Sequence, residues 1–254
     1  MGDVVFFKFF QDILMSSDKT LGELVETADG SMTIRNPDID EEYHSTAGAA
    51  FESEELYLSR SGIQEQWLEA KDLQVLDVGL GLGYNALTTI TKWLGSAGSC
   101  SIGMLSLEIN ESLVKHLAQG DGPWMEGWSD QWLEIAKSLE LQPSGLWQAE
   151  ISHESGVKFQ WSVQVGDSSK SPLPQLNLNY IWQDAFSPGK NSELWSPAWF
   201  KMLAESSHDN CVLMTYSVSR VVKDGLTEGG WDFERIPASG KKRHWLKATK
   251  ASTT

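Results

Sequence analysis

The stretch QVLDVGLGLGYNAL, residues 74–87, constrains the fold more than any other part of the chain. A short apolar run ends at Asp77, glycines follow at positions 79, 81 and 83, and helix-forming residues begin at Tyr84. A buried strand that feeds a glycine turn and then a helix opens a βαβ unit, and its turn lies on the carboxyl edge of a parallel sheet. The alternation continues downstream. LQVLDV (73–78) and SIGMLSLE (101–108) read as strands, with helices at Tyr84 to Leu94 and at ESLVKHLAQ (111–119). KFQWSVQVGD (158–167), LNLNYIWQDA (176–185) and NCVLMTYS (210–217) read as further strands, and SELWSPAWFKMLAESS (192–207) as a helix. In GPWMEGWSDQWLEIAKSLELQPSGLWQAE (122–150), the spacing of Trp128, Trp132 and Ile135 predicts a helix. DFERIPASGKKRHWLKATK (232–250) predicts two strands joined by a Gly-Lys-Lys turn. Strands alternating with helices predict a doubly wound α/β sheet, mostly parallel.

No repeat or linker divides the 254 residues, a length that one core can serve. Residues 1–70 are expected to form an acidic, turn-rich extension that caps the sheet, and residues 71–254 the α/β domain itself. The opening MGDVVFFKFFQDILM carries Asp3 and lacks a small-residue cleavage site, so it reads as an amphipathic first helix or an extended start, not a secretory signal. No run approaches ~18 apolar residues, so no membrane span is expected. Cys100 and Cys211 sit in apolar runs, as small buried hydrophobes do in a reducing cytoplasm. The five histidines show no ligand spacing, and no metal site is expected. The tryptophans, Trp161 and Trp182 among them, read as core.

The net charge of −15 opposes a nucleic-acid partner, whose phosphates demand cations. The charge is uneven, however. Residues 1–75 carry sixteen acids against five bases, whereas PASGKKRHWLKATK (237–250) carries five bases and no acid.

The glycine turn admits two frames. From Gly81 it reads G-L-G-Y-N-A, the alanine form of a dinucleotide fingerprint. With Asp77 included it reads acid-x-Gly-x-Gly-x-Gly, through Gly79, Gly81 and Gly83. Three alternating glycines let backbone pass close to a ligand without a diphosphate, and this form resembles that of S-adenosylmethionine methyltransferases. Glu108 ends the next strand, where an acid accepts hydrogen bonds from ribose hydroxyls in either class. Asp167, in QVGD, stands where methyltransferases typically meet the adenine amino group. Asp184 closes the fourth core strand, at the edge where ligands bind. A carboxylate there can orient an amine and take up its proton, leaving the lone pair to attack a methyl group. The strand pair at the end of the series agrees with a Rossmann-like class I methyltransferase fold, a seven-stranded sheet with an antiparallel terminal strand.

Several segments together resemble one family, the methyltransferase domain of the bacterial enzyme that completes 5-methylaminomethyl-2-thiouridine at the tRNA wobble position. EEYHSTAGAAFESEELYL (41–58) is similar to its N-terminal segment through Tyr43, Ser45, Glu54 and the apolar pair Tyr57-Leu58. The family's glycine motif ends in an asparagine, here Asn85. Its Asp-Gly-Phe-x-Pro-x-Lys-Asn-Pro-x-x-Trp stretch is matched by Asp184 to Trp195, with Ala185 and Ser192 replacing a glycine and a proline. The Gly-Lys-Lys-Arg at 240–243 is similar to the family's ending. The resemblance implies S-adenosylmethionine as cofactor, held by Asp77, Gly79, Gly81, Gly83, Asn85, Glu108 and Asp167. It implies Asp184 as the catalytic group and Tyr43, Ser45, Phe186 and Lys190 on the substrate side. The best-known members are fused to an FAD-dependent oxidase, for which this chain has no room. The expectation is therefore a stand-alone cytoplasmic enzyme acting on tRNA, its aminomethyl substrate made by other enzymes.

Overall fold

The computed structural model describes residues 21–69, 72–97, 100–170, 173–174, 176–239 and 243–251. The first-helix expectation and the Gly-Lys-Lys turn fall outside these residues. Twelve described strands are β1 (Glu23–Glu26), β2 (Met32–Asn36), β3 (Glu41–Glu42), β4 (Leu73–Val78), β5 (Ile102–Glu108), β6 (Glu140–Leu141), β7 (Trp147–Ser152), β8 (Lys158–Val165), β9 (Leu178–Gln183), β10 (Ser207–Thr215), β11 (Trp231–Pro237) and β12 (His244–Lys250). The α-helices are α1 (Ala49–Glu52), α2 (Ile63–Gln66), α3 (Tyr84–Leu94), α4 (Glu111–Gln119), α5 (Asp130–Lys137), α6 (Pro197–Glu205) and α7 (Arg220–Glu228). Helix α1 runs on into a π-helical stretch, Ser53–Ser59.

Nine strands form the central sheet in the order β11-β12-β10-β9-β4-β5-β8-β7-β6. The contiguous strands β10, β9, β4, β5 and β8 pair in parallel, and β12 runs antiparallel between β10 and β11. This is the expected seven-stranded arrangement, extended at the other edge by the antiparallel pair β7 and β6. The helix expected from Trp128, Trp132 and Ile135 is α5, and the meander that follows it within 122–150 has no counterpart in the sequence reading. Gly145, at φ +86° and bonded through its N–H to Gln142 O, turns β6 into β7.

Successive residues of β4 serve opposite faces of the sheet. Val75 joins a core shared with α3, α4 and α5, while Leu76 and Val78 join one built on α6 and α7. The helices start where serine and asparagine supply caps. Asn110 accepts from Ser112 N ahead of α4, and Ser129, Ser196 and Ser219 do the same for α5, α6 and α7. Residues 21–69 have no core of their own. Ile34, Ala49, Leu56, Tyr57, Ile63 and Trp67 are buried in the same cluster as Trp93 and Trp161. Cys100 and Cys211 are buried free thiols, which burial pushes up to about 11 and about 12. Among the described residues no helix is long and apolar enough to cross a membrane.

Candidate active site

The strand order reverses between β4 and β9, since β4 leads outward through β5 to β8 and β9 leads the other way to β10. Loops diverge at such a point and leave a crevice at the carboxyl ends of the strands. A cleft of about 640 Å³ lies there, floored by Gly79 and Gly81 and walled by Glu108, Asp167, Asp184 and Tyr216. Its roof is β3 with the chain that follows, Tyr43, His44 and Ser45. That volume is typical of small-ligand sites.

The glycine turn is built for close approach. Gly79, Gly81 and Gly83 all have positive φ. A Cβ on Gly79 would stand 2.9 Å from Asp184 O, so only glycine lets the turn pass beneath the Asp184 loop. Gly83 caps α3, and a Cβ there would lie 3.0 Å from Leu117, so its role is helix packing.

Glu108 is buried at the end of β5. It accepts from Gly81 N and from Asn110 N, both at 2.8 Å, which fixes the carboxylate and ties the turn to it. A carboxylate has about four lone-pair sites, so acceptor capacity remains for hydroxyls. Burial holds its proton up to about 7, against the pull of those backbone donors. Asp167 lies on the rim, bonded to Ser169 and ion-paired with Lys170 at 2.6 Å, and those contacts lower its pKa.

Asp184 follows β9 and faces the cleft. Tyr57 Oη donates to its Oδ1 at 2.5 Å and Asn85 Nδ2 to its Oδ2 at 2.8 Å. The Asn85 amide is itself oriented by Ser53 Oγ, which donates to its Oδ1 at 2.7 Å. Burial, with Glu52 nearby, pushes Asp184 up to about 8 despite these two donors. A cation entering the cleft favours the ionised carboxylate, so amine binding is coupled to release of the Asp184 carboxyl proton.

The remaining predicted residues divide by position. Tyr43, Ser45 and Phe186 line the cleft, with the Tyr43 and Phe186 rings 4.9 Å apart. Asp77 and Asn85 stand behind the wall. Asp77 is fully buried on the α3 face of β4, where Oδ2 accepts from Ser106 Oγ at 2.8 Å and burial raises its pKa to about 7. Lys190 is exposed on the turn after Ser187, off the cleft wall. Four contributors lay outside the sequence reading of the site. They are Tyr57, noted there only as half of an apolar pair, Ser53, Glu52, and Glu41, whose carboxylate accepts from Ser187 N and Oγ at 3.1 and 2.5 Å. Their contacts with the sheet edge span up to 146 residues, and no local pattern marks them. Among the described residues no group of three or more His, Cys, Asp or Glu is placed to hold a metal ion.

Residues 133–251 match the model of a family described as S-adenosyl-L-methionine-dependent methyltransferase. The chain is 28% identical over 211 residues to the tRNA 5-methylaminomethyl-2-thiouridine biosynthesis bifunctional protein MnmC of Cupriavidus necator, covering 82% of this chain and 31% of that protein. The MnmC of Burkholderia mallei is 26% identical over 231 residues, covering 88% of this chain and 34% of its own length. The chain thus spans about a third of the curated relatives it matches. Among solved structures, MNMC2 from Aquifex aeolicus superposes with a TM-score of 0.75 at 25% identity, over 99% of this chain and 79% of that one. The dinucleotide frame of the glycine turn gives way to the acid-led one. The open floor at Gly79, the acceptor at Glu108 and the cleft's size suit an adenosyl sulfonium ligand.

Proposed function

We propose that this chain, an S-adenosyl-L-methionine-dependent methyltransferase, methylates the exocyclic amine of a 5-aminomethyl-2-thiouridine-type wobble base in tRNA. The observation that carries this is the Asp184 carboxylate, presented at the switch point and fixed at both oxygens by neutral donors. When bound, S-adenosyl-L-methionine supplies the methyl group, and the carbon–sulfur electron pair stays with sulfur in S-adenosylhomocysteine. Gly79 and Gly81 would bear the methionine end, Glu108 the ribose hydroxyls and Asp167 the adenine edge. Asp184 would bind the incoming ammonium, accept one of its protons and pass that proton to solvent, so that the nitrogen lone pair is free to attack. Tyr43, Ser45 and Phe186 would flank the base and exclude water from the reacting atoms. Residues 1–70 would act as the cap and 71–254 as the catalytic domain, working in the cytoplasm where tRNA is modified.

Asp184→Asn tests the role directly. It should keep S-adenosylhomocysteine affinity within about twofold and lower kcat by about a hundredfold or more, as loss of a general base does. Wild-type turnover in that variant would refute the role.

A second reading, a methyltransferase for a small or protein-borne amine, is favoured by the carboxylates that line the cleft, Glu41, Glu42, Glu52 and Glu193 among them. Salt separates the two, since tRNA binding weakens steeply as salt rises and binding of a small amine far less.

A further inference from the structure

The segment that caps the sheet also reaches into its interior. Beyond α1 the chain widens into the π-helical stretch Ser53–Ser59, and such turns recur where side chains must be redirected to a site. Tyr57 lies within it, 1% exposed, its ring 6.0 Å from that of Trp182. Phenylalanine would fill the same space without burying a hydroxyl. The Tyr57 hydroxyl is satisfied by Asp184 Oδ1, at a sequence separation of 127 residues. Ser53, four residues earlier, pins the Asn85 amide that holds Oδ2. One stretch of the cap therefore governs both oxygens of the carboxylate.

The surroundings of Asp184 otherwise oppose its ionisation. Glu52 at the end of α1 and Asp77 from β4 both add negative charge. Beyond β10, Tyr216 donates to Ala185 O at 2.9 Å, while Glu41 from β3 is engaged with Ser187. Lys190, in the same loop, is exposed. Tyr57 and Asn85 are the two donors that counter this field, and neither brings charge that would repel an ammonium.

Resting on the proposed role of Asp184 as proton acceptor, we infer that Tyr57 is a positioning residue, whose hydroxyl fixes the carboxylate plane and favours the ionised form of Asp184 that accepts the amine's proton. The hydroxyl lies behind the carboxylate and off the cleft wall, so cofactor affinity does not depend on it. Burial raises the phenol's own pKa well above its usual value, so it remains a donor at all working pH.

The test is the pH dependence of kcat for Tyr57→Phe, with labelled S-adenosyl-L-methionine and tRNA from cells lacking the modification. The expected result is an acid limb moved up by about one pH unit and kcat at neutral pH lowered about tenfold, with S-adenosylhomocysteine affinity within about twofold of wild type. Replacing Tyr57 by 3-fluorotyrosine, a more acidic donor of nearly the same size, should move the limb the other way, and it supplies the measurement if the phenylalanine variant does not fold. A lower melting temperature with an unmoved limb and unchanged kcat would make the contact merely structural and overturn the inference. Asp184→Asn, measured alongside, separates the two levels. Full turnover in that variant removes the role of Asp184 and with it that of Tyr57. An inactive Asp184→Asn beside a Tyr57→Phe of wild-type rate and pH profile removes only the role of Tyr57.

Discussion

At Gly79 the backbone takes φ +90° beneath the carbonyl of Asp184, with no room for a side chain. An alanine there costs about 1–3 kcal/mol of backbone strain and pushes the Asp184 loop outward. Gly79→Ala should lower S-adenosylhomocysteine affinity about tenfold or more by calorimetric titration, and an unchanged affinity would remove the turn from the cofactor site. The turn was legible in the sequence because glycine spacing reports backbone conformation directly. The role of Asp77 was not. In a strand covered on both faces, apolar residues occur on both sides and their order does not reveal where a given side chain points. Asp77 shares the Val75 side of β4 and meets Ser106 and α3, not the cleft. Tyr57 was missed for a related reason. Local pattern records its ring as apolar, and only the folded chain brings its hydroxyl to Asp184.

Elements with strong local signals were read closely. Helices α3 and α4 span the predicted residues, bounded by Gly83 and by the Asn110 cap with Gly120 at φ +67°. The β6–β7 meander is legible only in part. Both β6 residues are exposed and give no apolar signal, whereas β7 alternates Trp147, Ala149 and Ile151 inward with Gln148, Glu150 and Ser152 outward, a period that the tryptophan spacing of the preceding helix masks. Helix α7 was likewise overlooked. Its buried Val222, Gly225 and Leu226 make a narrow stripe, and exposed Val221 blurs the pattern. Between elements, the clasp of Glu41 on Ser187 joins the cap to the Asp184 loop. Hydrogen bonds to a charged group contribute about 1.5–3 kcal/mol each. Ser187→Ala should therefore raise amide exchange at residues 41–43 and 185–187 about tenfold and speed release of S-adenosylhomocysteine. Exchange equal to wild type would show that the roof is held by other contacts.

For the molecule as a whole, the carboxylates Asp77, Glu108 and Asp184 couple stability to pH. Burial raises them to about 7, about 7 and about 8, so the folded state binds their protons more tightly than the unfolded state does. The stabilisation is complete below their unfolded values and is lost as pH rises through the folded ones. His44, buried and lowered to about 4, acts in the opposite sense below about 6.5. The clean window is therefore between about pH 6.5 and about pH 8, where the ligand-free protein's Tm should fall by roughly 3 °C or more. Asp184→Asn should flatten that slope, and a Tm constant across the window would contradict the burial of these groups. A shared core for residues 21–69 and the sheet further predicts a single calorimetric transition for the intact chain, where a separately folding cap would give two.

Methyl transfer to the amine of a wobble uridine is followed most directly by the fate of the label. Protein, S-adenosyl-L-methionine labelled in its methyl group, and tRNA from cells lacking the modification are incubated together, and the tRNA is digested to nucleosides. Label is expected in a 5-methylaminomethyl-type uridine from the wobble position, absent when Asp184→Asn replaces the wild type. Label confined to another nucleoside, or none in tRNA while S-adenosylhomocysteine binds normally, would contradict it.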